Sequence, residues 1–182
     1  MPKTSAPGWK PGWRVTGNNM AVTSDIVESW RRPRVVLRRH LDRGRSEAFA
    51  FSLLVVFLLL AFIASYPAAA RVAALDATVP VAPQMLGRGL GLLATVPFLY
   101  GLAALSHLAA RAMGGQGGWY DARMALFWAL VASTPFVLLT GIVAGLIGPG
   151  PQLSLTGGVT FAAFLFQWIA GLTEAEGPAT GE

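Results

Sequence analysis

Four long runs of apolar residues dominate the chain from residue 48 onward. They cover 48–70, 89–110, 124–147 and 152–172, and none contains Asp, Glu, Lys or Arg. Each is long enough to cross about 30 Å of hydrocarbon as a helix, which needs roughly 20 residues. A backbone amide in lipid must be hydrogen-bonded within its own segment, so runs of this length are helices. The pattern predicts an all-α fold, a polytopic transmembrane helical bundle with four spans over 48–172.

A shorter pattern of helical period precedes the first span, over residues 24–47. Its apolar positions recur at spacings of three and four residues, and arginines fill the remaining circumference. We therefore expect a basic amphipathic helix, bent or restarted at Pro33, that lies on the cytoplasmic leaflet and contacts anionic headgroups. Its lipid contacts would be Trp30, Arg31, Arg32, Arg34, Arg38 and Arg39. The alternative is a solvated collar that only sets topology.

Charge is distributed unevenly and indicates orientation. Ten of the fourteen Lys and Arg residues precede residue 48, which predicts a cytoplasmic N-terminus. Four spans would return the C-terminus to the same side, as an acidic flexible tail over 173–182. Residues 1–23 are rich in Pro, Gly and polar groups and are expected to be a disordered leader, with Met20 as an alternative start. No cleavable signal pattern is present in residues 1–47.

Composition narrows the possible chemistry. The chain is 54% hydrophobic and 13% charged, so the bilayer is its expected solvent. It has no cysteine and only two histidines, and it lacks the nucleophile-elbow, phosphate-loop and zinc-protease motifs. We therefore expect no enzyme activity, no cofactor, no metal site and no nucleic-acid partner.

Prolines and glycines inside the spans predict how the helices pack. Pro97 and Pro135 lie near the middle of the second and third spans and are expected to kink them. Thr95, Ser133 and Thr134 are placed to bond the freed carbonyls. Gly141 and Gly145 form a G-x-x-x-G pair that favours close helix packing, and Gly87 and Gly91 form another.

A few polar side chains are candidates for a site within the bundle. Tyr100, His107 and Gln167 could join into a polar cavity, as a proton relay or a substrate site would require. The alternative is that His107 is interfacial and bonds a neighbouring backbone group or Gln167.

The loop between the second and third spans has an unusual sequence, "GGQGGWYDAR" at 114–123. Its glycines allow turn conformations, Trp119 and Tyr120 suit the membrane interface, and Asp121 is placed to cap the next helix. Arg111 and Arg123 flank it on the inner side.

This loop, with the helix that follows it, resembles the signature of the Yip family (Ypt/Rab-interacting membrane proteins) as it appears in bacteria. The resemblance covers residues 20–173 and is carried by Gly114, Gly115, Trp119, Tyr120, Asp121, Arg123, Pro135 and the basic start "WRRPRVVLRR". It implies a helical-bundle membrane protein, which in eukaryotes is tied to vesicle traffic and small GTPases. Many relatives have five spans, whereas four are counted here.

A composition rich in Ala, Arg, Gly and Leu favours a bacterial inner membrane as the location, where that GTPase partnership has no obvious counterpart. The sequence thus favours a scaffold, a membrane organiser or an accessory subunit, whose partners would be other membrane proteins or further copies of the chain. The alternative is a small transporter or channel component that uses the kinked second and third spans.

Overall fold

The computed structural model describes residues 22–42 and 44–177 as seven helices. They are α1 (Val22–Ser29), α2 (Pro33–Asp42), α3 (Glu47–Leu75), α4 (Val81–Ala112), α5 (Trp119–Ala132), α6 (Thr134–Leu146) and α7 (Pro151–Ala175). The predicted all-α bundle is confirmed. Helices α3, α4 and α7 are long and apolar enough to cross a membrane, and α5 and α6 together form a fourth candidate that is bent by 43°. The expected leader falls, up to residue 21, outside the described residues.

The bend between α5 and α6 follows from Pro135, which has no N–H to give to the carbonyl of Val131. The Thr134 hydroxyl donates to that carbonyl instead, at 2.7 Å, and the Ser133 hydroxyl donates to Leu130 O at 2.9 Å. Pro97, in contrast, lies inside an unbroken α4. Of the two prolines, only Pro135 divides its span into two helices.

Helix α5 is the centre of the fold. Residues 124–132 are all buried, with no alternation between a covered and an open face. Helices α1, α2, α3, α4 and α7 all contact it. Four alanines, at 122, 125, 129 and 132, keep its circumference narrow enough for neighbours to approach from every side. The two halves of the third span therefore differ: α5 is enclosed by other helices, whereas α6 packs mainly against α3.

The packing of α6 on α3 depends on the predicted glycine pair. A Cβ added at Gly141 would lie 2.0 Å from the carbonyl oxygen of Ala64, and one at Gly145 would lie 2.3 Å from Cβ of Pro67. Only glycine allows backbones to approach this closely. The second predicted pair behaves differently, because nothing lies within 4 Å of a Cβ added at Gly87 or Gly91.

The N-terminal basic segment differs from its prediction. It forms two helices, separated by a turn at residues 30–32, and its apolar side faces the bundle instead of lipid. Val36 and Leu37 are fully buried, and the ring of Trp30 lies 5.0 Å from Phe136 and 6.3 Å from Phe166. The predicted apolar stripe is present, but protein covers it instead of lipid, since α5, α6 and α7 supply the side chains against which it packs.

The two glycine pairs allow a matched test of helix packing. Replacing Gly141 and Gly145 together by Leu should force α6 away from α3. The free energy of unfolding should fall by at least about 1–3 kcal/mol, the typical cost of overpacking a single site. Thermal unfolding in mild detergent measures the effect. The pair Gly87 and Gly91 has the same spacing and open surroundings, so its double Leu variant is the control and should unfold near the wild-type temperature. Equal losses in both variants would contradict the observed packing.

Candidate functional site

The glycine-rich loop closes over the C-terminal end of α7. Gly114 has φ +94°, a conformation that favours glycine. A Cβ at Gly115 would lie 2.9 Å from Ala110 O, and one at Gly117 would lie 2.3 Å from Ala175 O. Positions 115 and 117 therefore require glycine, because the loop backbone there touches the backbone of α4 and of α7.

Glu176, one residue beyond α7, is the group around which this loop is wrapped. Its carbonyl accepts from Gln116 N at 3.0 Å, and its Oε2 accepts from Gly117 N at 3.1 Å. Its Oε1 lies 2.6 Å from Nδ1 of His107, and both side chains are almost fully buried. The ring of His107 also lies 4.5 Å from that of Trp119. We call these three residues, His107, Glu176 and Trp119, the loop cluster.

The partner found for His107 corrects two expectations. We expected a backbone group or Gln167 to bond the imidazole, and we expected residues 173–182 to be a flexible tail. Instead α7 continues to Ala175, and Glu176 is buried against the histidine. A buried imidazole needs a polar partner, and Gln167 is already bonded to the Ser29 carbonyl. Residues 178–182 of the expected tail lie outside the described residues.

The loop cluster has a simple chemical capability. A carboxylate at Nδ1 favours the tautomer with a proton on Nδ1, so that Nε2 is left as an acceptor. His107 Nε2 is buried without a hydrogen-bond partner among the described residues. A cleft of about 320 Å³ borders the cluster at Met113, Glu176 and Gly177. No group of three His, Asp or Glu side chains that could hold a metal occurs in the part of the chain that the structure describes.

A second cluster joins α1 to α2 and holds the other histidine. Asp25 Oδ2 lies 3.5 Å from His40 Nε2, and Arg39 bonds both Asp25 and Glu28, at 3.2 and 3.0 Å. The hydrogen bond from Arg39, with its charge, lowers the pKa of Glu28, and the same contact raises the pKa of Arg39. The Arg39–Glu28 ion pair is thus fully formed above the ordinary pKa of Glu28 and weakens as pH falls through the lowered pKa of that carboxyl group. We call Asp25, Glu28, Arg39 and His40 the hairpin cluster.

Ser29 attaches this helical hairpin to the bundle. Its hydroxyl accepts from Trp128 Nε1 at 2.9 Å, and its carbonyl accepts from Gln167 Nε2 at 3.1 Å. The carbonyl at the end of a helix has no partner within that helix, so Gln167 supplies one that is otherwise missing. The ring of His40 packs at a tilt against the same Trp128, with ring centroids 4.4 Å apart. Trp128 thus binds both helices of the hairpin to α5.

The structure separates the three polar candidates within the bundle. Tyr100 packs edge-on against Phe127, at 5.3 Å between ring centroids. Gln167 bonds Ser29 and His107 bonds Glu176. No hydrogen bond recorded among the described residues joins any two of the three, so the polar cavity expected of a transporter is not formed by them.

The residues of the predicted loop motif have anchoring contacts. Asp121 accepts from Gly118 N at 2.8 Å, which caps α5, and from Arg45 at 3.3 Å. Arg123 pairs with Glu47 at the start of α3. The Tyr120 hydroxyl donates to Ser46 O at 3.4 Å. The motif thus ties the start of α5 to the start of α3.

The six predicted lipid contacts divide into two groups. Arg38 pairs with Glu174, Arg39 belongs to the hairpin cluster, and Trp30 is half-buried against two phenylalanines. Arg31, Arg32 and Arg34 are exposed. The lipid-facing role predicted for all six therefore keeps structural support only at these three arginines, which we call the tip arginines.

Several residues of these clusters were not singled out from the sequence: Asp25, Ser29, His40, Trp128, Glu174 and Glu176. One signal was available for Glu176, since a buried histidine needs a polar partner and a carboxylate just beyond a span is one candidate. No comparable signal marked Ser29 or Trp128, whose contact joins residues 99 positions apart.

Comparison of the chain with protein-family models, with curated proteins and with solved structures finds no match.

Glu176 and Glu174 allow a test of the loop cluster. Glu176→Ala should lower the free energy of unfolding by about 1–3 kcal/mol, because it leaves His107 Nδ1 and Gly117 N buried without a partner. Glu174→Ala removes only a partly exposed pair with Arg38 and should cost less than about 1 kcal/mol. Thermal unfolding in detergent compares the two, and proteolysis within 113–118 should accelerate only in the first. Equal effects would show that Glu176 does not hold the loop.

Proposed function

We propose that this chain is a non-enzymatic scaffold or membrane organiser of the Yip type in the bacterial inner membrane, oriented with its N-terminus in the cytoplasm. The orientation is supported by the ten basic residues that precede residue 48. The Yip assignment is supported by the loop motif and the basic start quoted above. The observation that carries the functional proposal is the position of the α1–α2 hairpin beside the candidate spans.

The depth of the hairpin follows from its contacts with α7. Trp30 packs on Phe166, which lies nine residues before the end of α7 at Ala175. Nine residues correspond to about 13 Å of helix. The turn between α1 and α2 is therefore displaced from that end of the bundle toward the middle of the candidate span.

At this depth the tip arginines can act on one leaflet only. Arginine extends its charge toward the headgroups while its stem stays in apolar surroundings. Arg31, Arg32 and Arg34 would bind anionic headgroups, and exposed Val27 and Val35 would add apolar contact beside them. The hairpin would then act as a wedge in the cytoplasmic leaflet, anchored to the bundle through Ser29. A wedge in one leaflet expands that leaflet relative to the other and so favours curvature.

A transport function has one observation in its favour. A recess of about 290 Å³ opens between α6 and α7 beside the bend and contains Ser133, Thr140 and Thr160. Its hydroxyls are already engaged, since Thr140 and Thr160 bond each other at 2.7 Å and Ser133 bonds Leu130 O. This recess also lacks a polar connection to the loop cluster among the described contacts, so we rank transport second.

Orientation in vesicles of different size tests the wedge. A wedge on the N-terminal side of the protein fits the outer leaflet of a small vesicle. The fraction of reconstituted protein with its N-terminus outside should therefore rise as the vesicle diameter falls. Removal of an N-terminal epitope tag by external protease measures this fraction. The excess should shrink in neutral vesicles and in the variant with Arg31, Arg32 and Arg34 replaced by Gln.

Lys3, Lys10 and Arg14 provide a control with the same change of charge, because their replacement by Gln also removes three cations. This control should keep the wild-type orientation bias. An orientation that is independent of diameter, or equally affected by both triple variants, would contradict the wedge. Flux of a small solute through wild-type proteoliposomes, above protein-free vesicles, would favour the transport alternative.

A further inference from the structure

An apolar groove runs along the outside of the bundle between α3 and α4. It has a volume of about 340 Å³ and opens sideways, and all its lining residues are apolar. Val55, Leu59 and Phe62 line it on α3, and Met85, Gly89 and Leu93 line it on α4. Gly89 leaves room for the Phe62 ring, which would lie 3.3 Å from an added Cβ. The groove lies within helices apolar enough to span a membrane, so its open side faces hydrocarbon.

Arg88 lies between the lining residues Leu86 and Gly89 on α4, and its side chain reaches α3 on the loop side of Phe62. Its Nη1 donates to Ser65 O at 2.9 Å, and the Ser65 hydroxyl lies 3.8 Å from the sulfur of Met85, which lines the groove. The residue is seven positions into α4, about 10 Å of helix from its start. The guanidinium is therefore held below the end of the helix, directly beside the apolar surface.

The remaining donors of Arg88 need an acceptor. A guanidinium has five N–H groups in a planar fork, and the structure records one hydrogen bond and no carboxylate for Arg88 among the described residues. A cation in apolar surroundings is costly unless an anion pairs with it. The fork geometry matches the oxygen atoms of a phosphate, which it binds through two parallel hydrogen bonds.

We propose that this groove binds one phospholipid of the leaflet on the α3–α4 loop side, with its phosphate on the Arg88 guanidinium and one acyl chain along the groove. Both halves of such a molecule are accommodated, the anion by the free donors and the chain by the apolar lining. A second copy of the chain fits less well, because none of the four apolar runs contains an Asp or Glu to pair with Arg88. The site does not depend on the wedge, which lies at the other end of the bundle.

Native mass spectrometry of the full chain in detergent tests this site. After delipidation and titration with phosphatidylglycerol, the wild type should retain one phospholipid more tightly than any further ones. Arg88→Gln should weaken this first binding step about tenfold, the loss expected for one charge-assisted contact. Leu93→Trp, at an exposed lining position, should weaken it comparably by filling the groove.

Two control variants lie away from the groove. Arg71→Gln changes a guanidinium that donates to the carbonyls of Gly145 and Leu146, and Leu155→Trp adds the same bulk to an exposed position on α7. Both should bind the first phospholipid as the wild type does, and thermal unfolding should confirm that all four variants are folded. Wild-type binding by Arg88→Gln or by Leu93→Trp would overturn the proposal. So would a dimer that Leu93→Trp dissociates while lipid binding is unchanged.

Discussion

The fold depends on the enclosure of one short helix, α5, by protein on all sides. A membrane-spanning helix ordinarily gives part of its surface to lipid, and in the most apolar stretches of α3, α4 and α7 only 17–22% of the residues are buried. In α5, by contrast, every residue from 124 to 132 is buried. This requires five neighbouring helices, and it requires the span to break at Pro135 so that its second half can turn 43° toward α3. The glycine contacts of α6 with Ala64 and Pro67 then fix the direction of that second half.

Closure at the N-terminal end of α5 is made by polar contacts instead of further apolar ones. The loop cluster holds the glycine loop against α7, and Asp121 and Arg123 tie the start of α5 to the segment around Ser46. The hairpin covers the open flank between α5 and α7 and is attached through Ser29. Each histidine in the chain is buried against a tryptophan and close to a carboxylate, His107 with Glu176 and His40 with Asp25. The loop cluster thus closes the bundle at the end of α7, and the hairpin contacts extend this polar attachment along α5 as far as Trp128.

Sequence patterns predicted the elements that depend on local chemistry. Uninterrupted apolar runs predicted α3, α4 and α7, and the missing N–H of Pro135 predicted the bend, together with the hydroxyls that compensate for it.

Periodicity also identified the apolar stripe of the N-terminal segment. It could not tell whether lipid or protein covers that stripe, because both are apolar partners of similar strength. Burial of Leu37 against Gly171 is decided by tertiary packing, and no local pattern encodes it. The pairing of His107 with Glu176 was missed for a similar reason, since a carboxylate just beyond a span has the same sequence appearance whether it is solvated or buried.

The central claim is that protein alone surrounds α5, and labelling with a lipid-soluble diazirine tests it directly. The reagent dissolves in the bilayer, and its carbene inserts into any side chain that faces lipid, including aliphatic ones. In reconstituted protein, mass spectrometry should find labels on exposed positions of α4 and α7, such as Leu93 and Phe161, and none from Met124 to Ala132. Labels within 124–132 at a spacing of three to four residues would show that α5 presents a face to lipid like its neighbours, and would contradict the account.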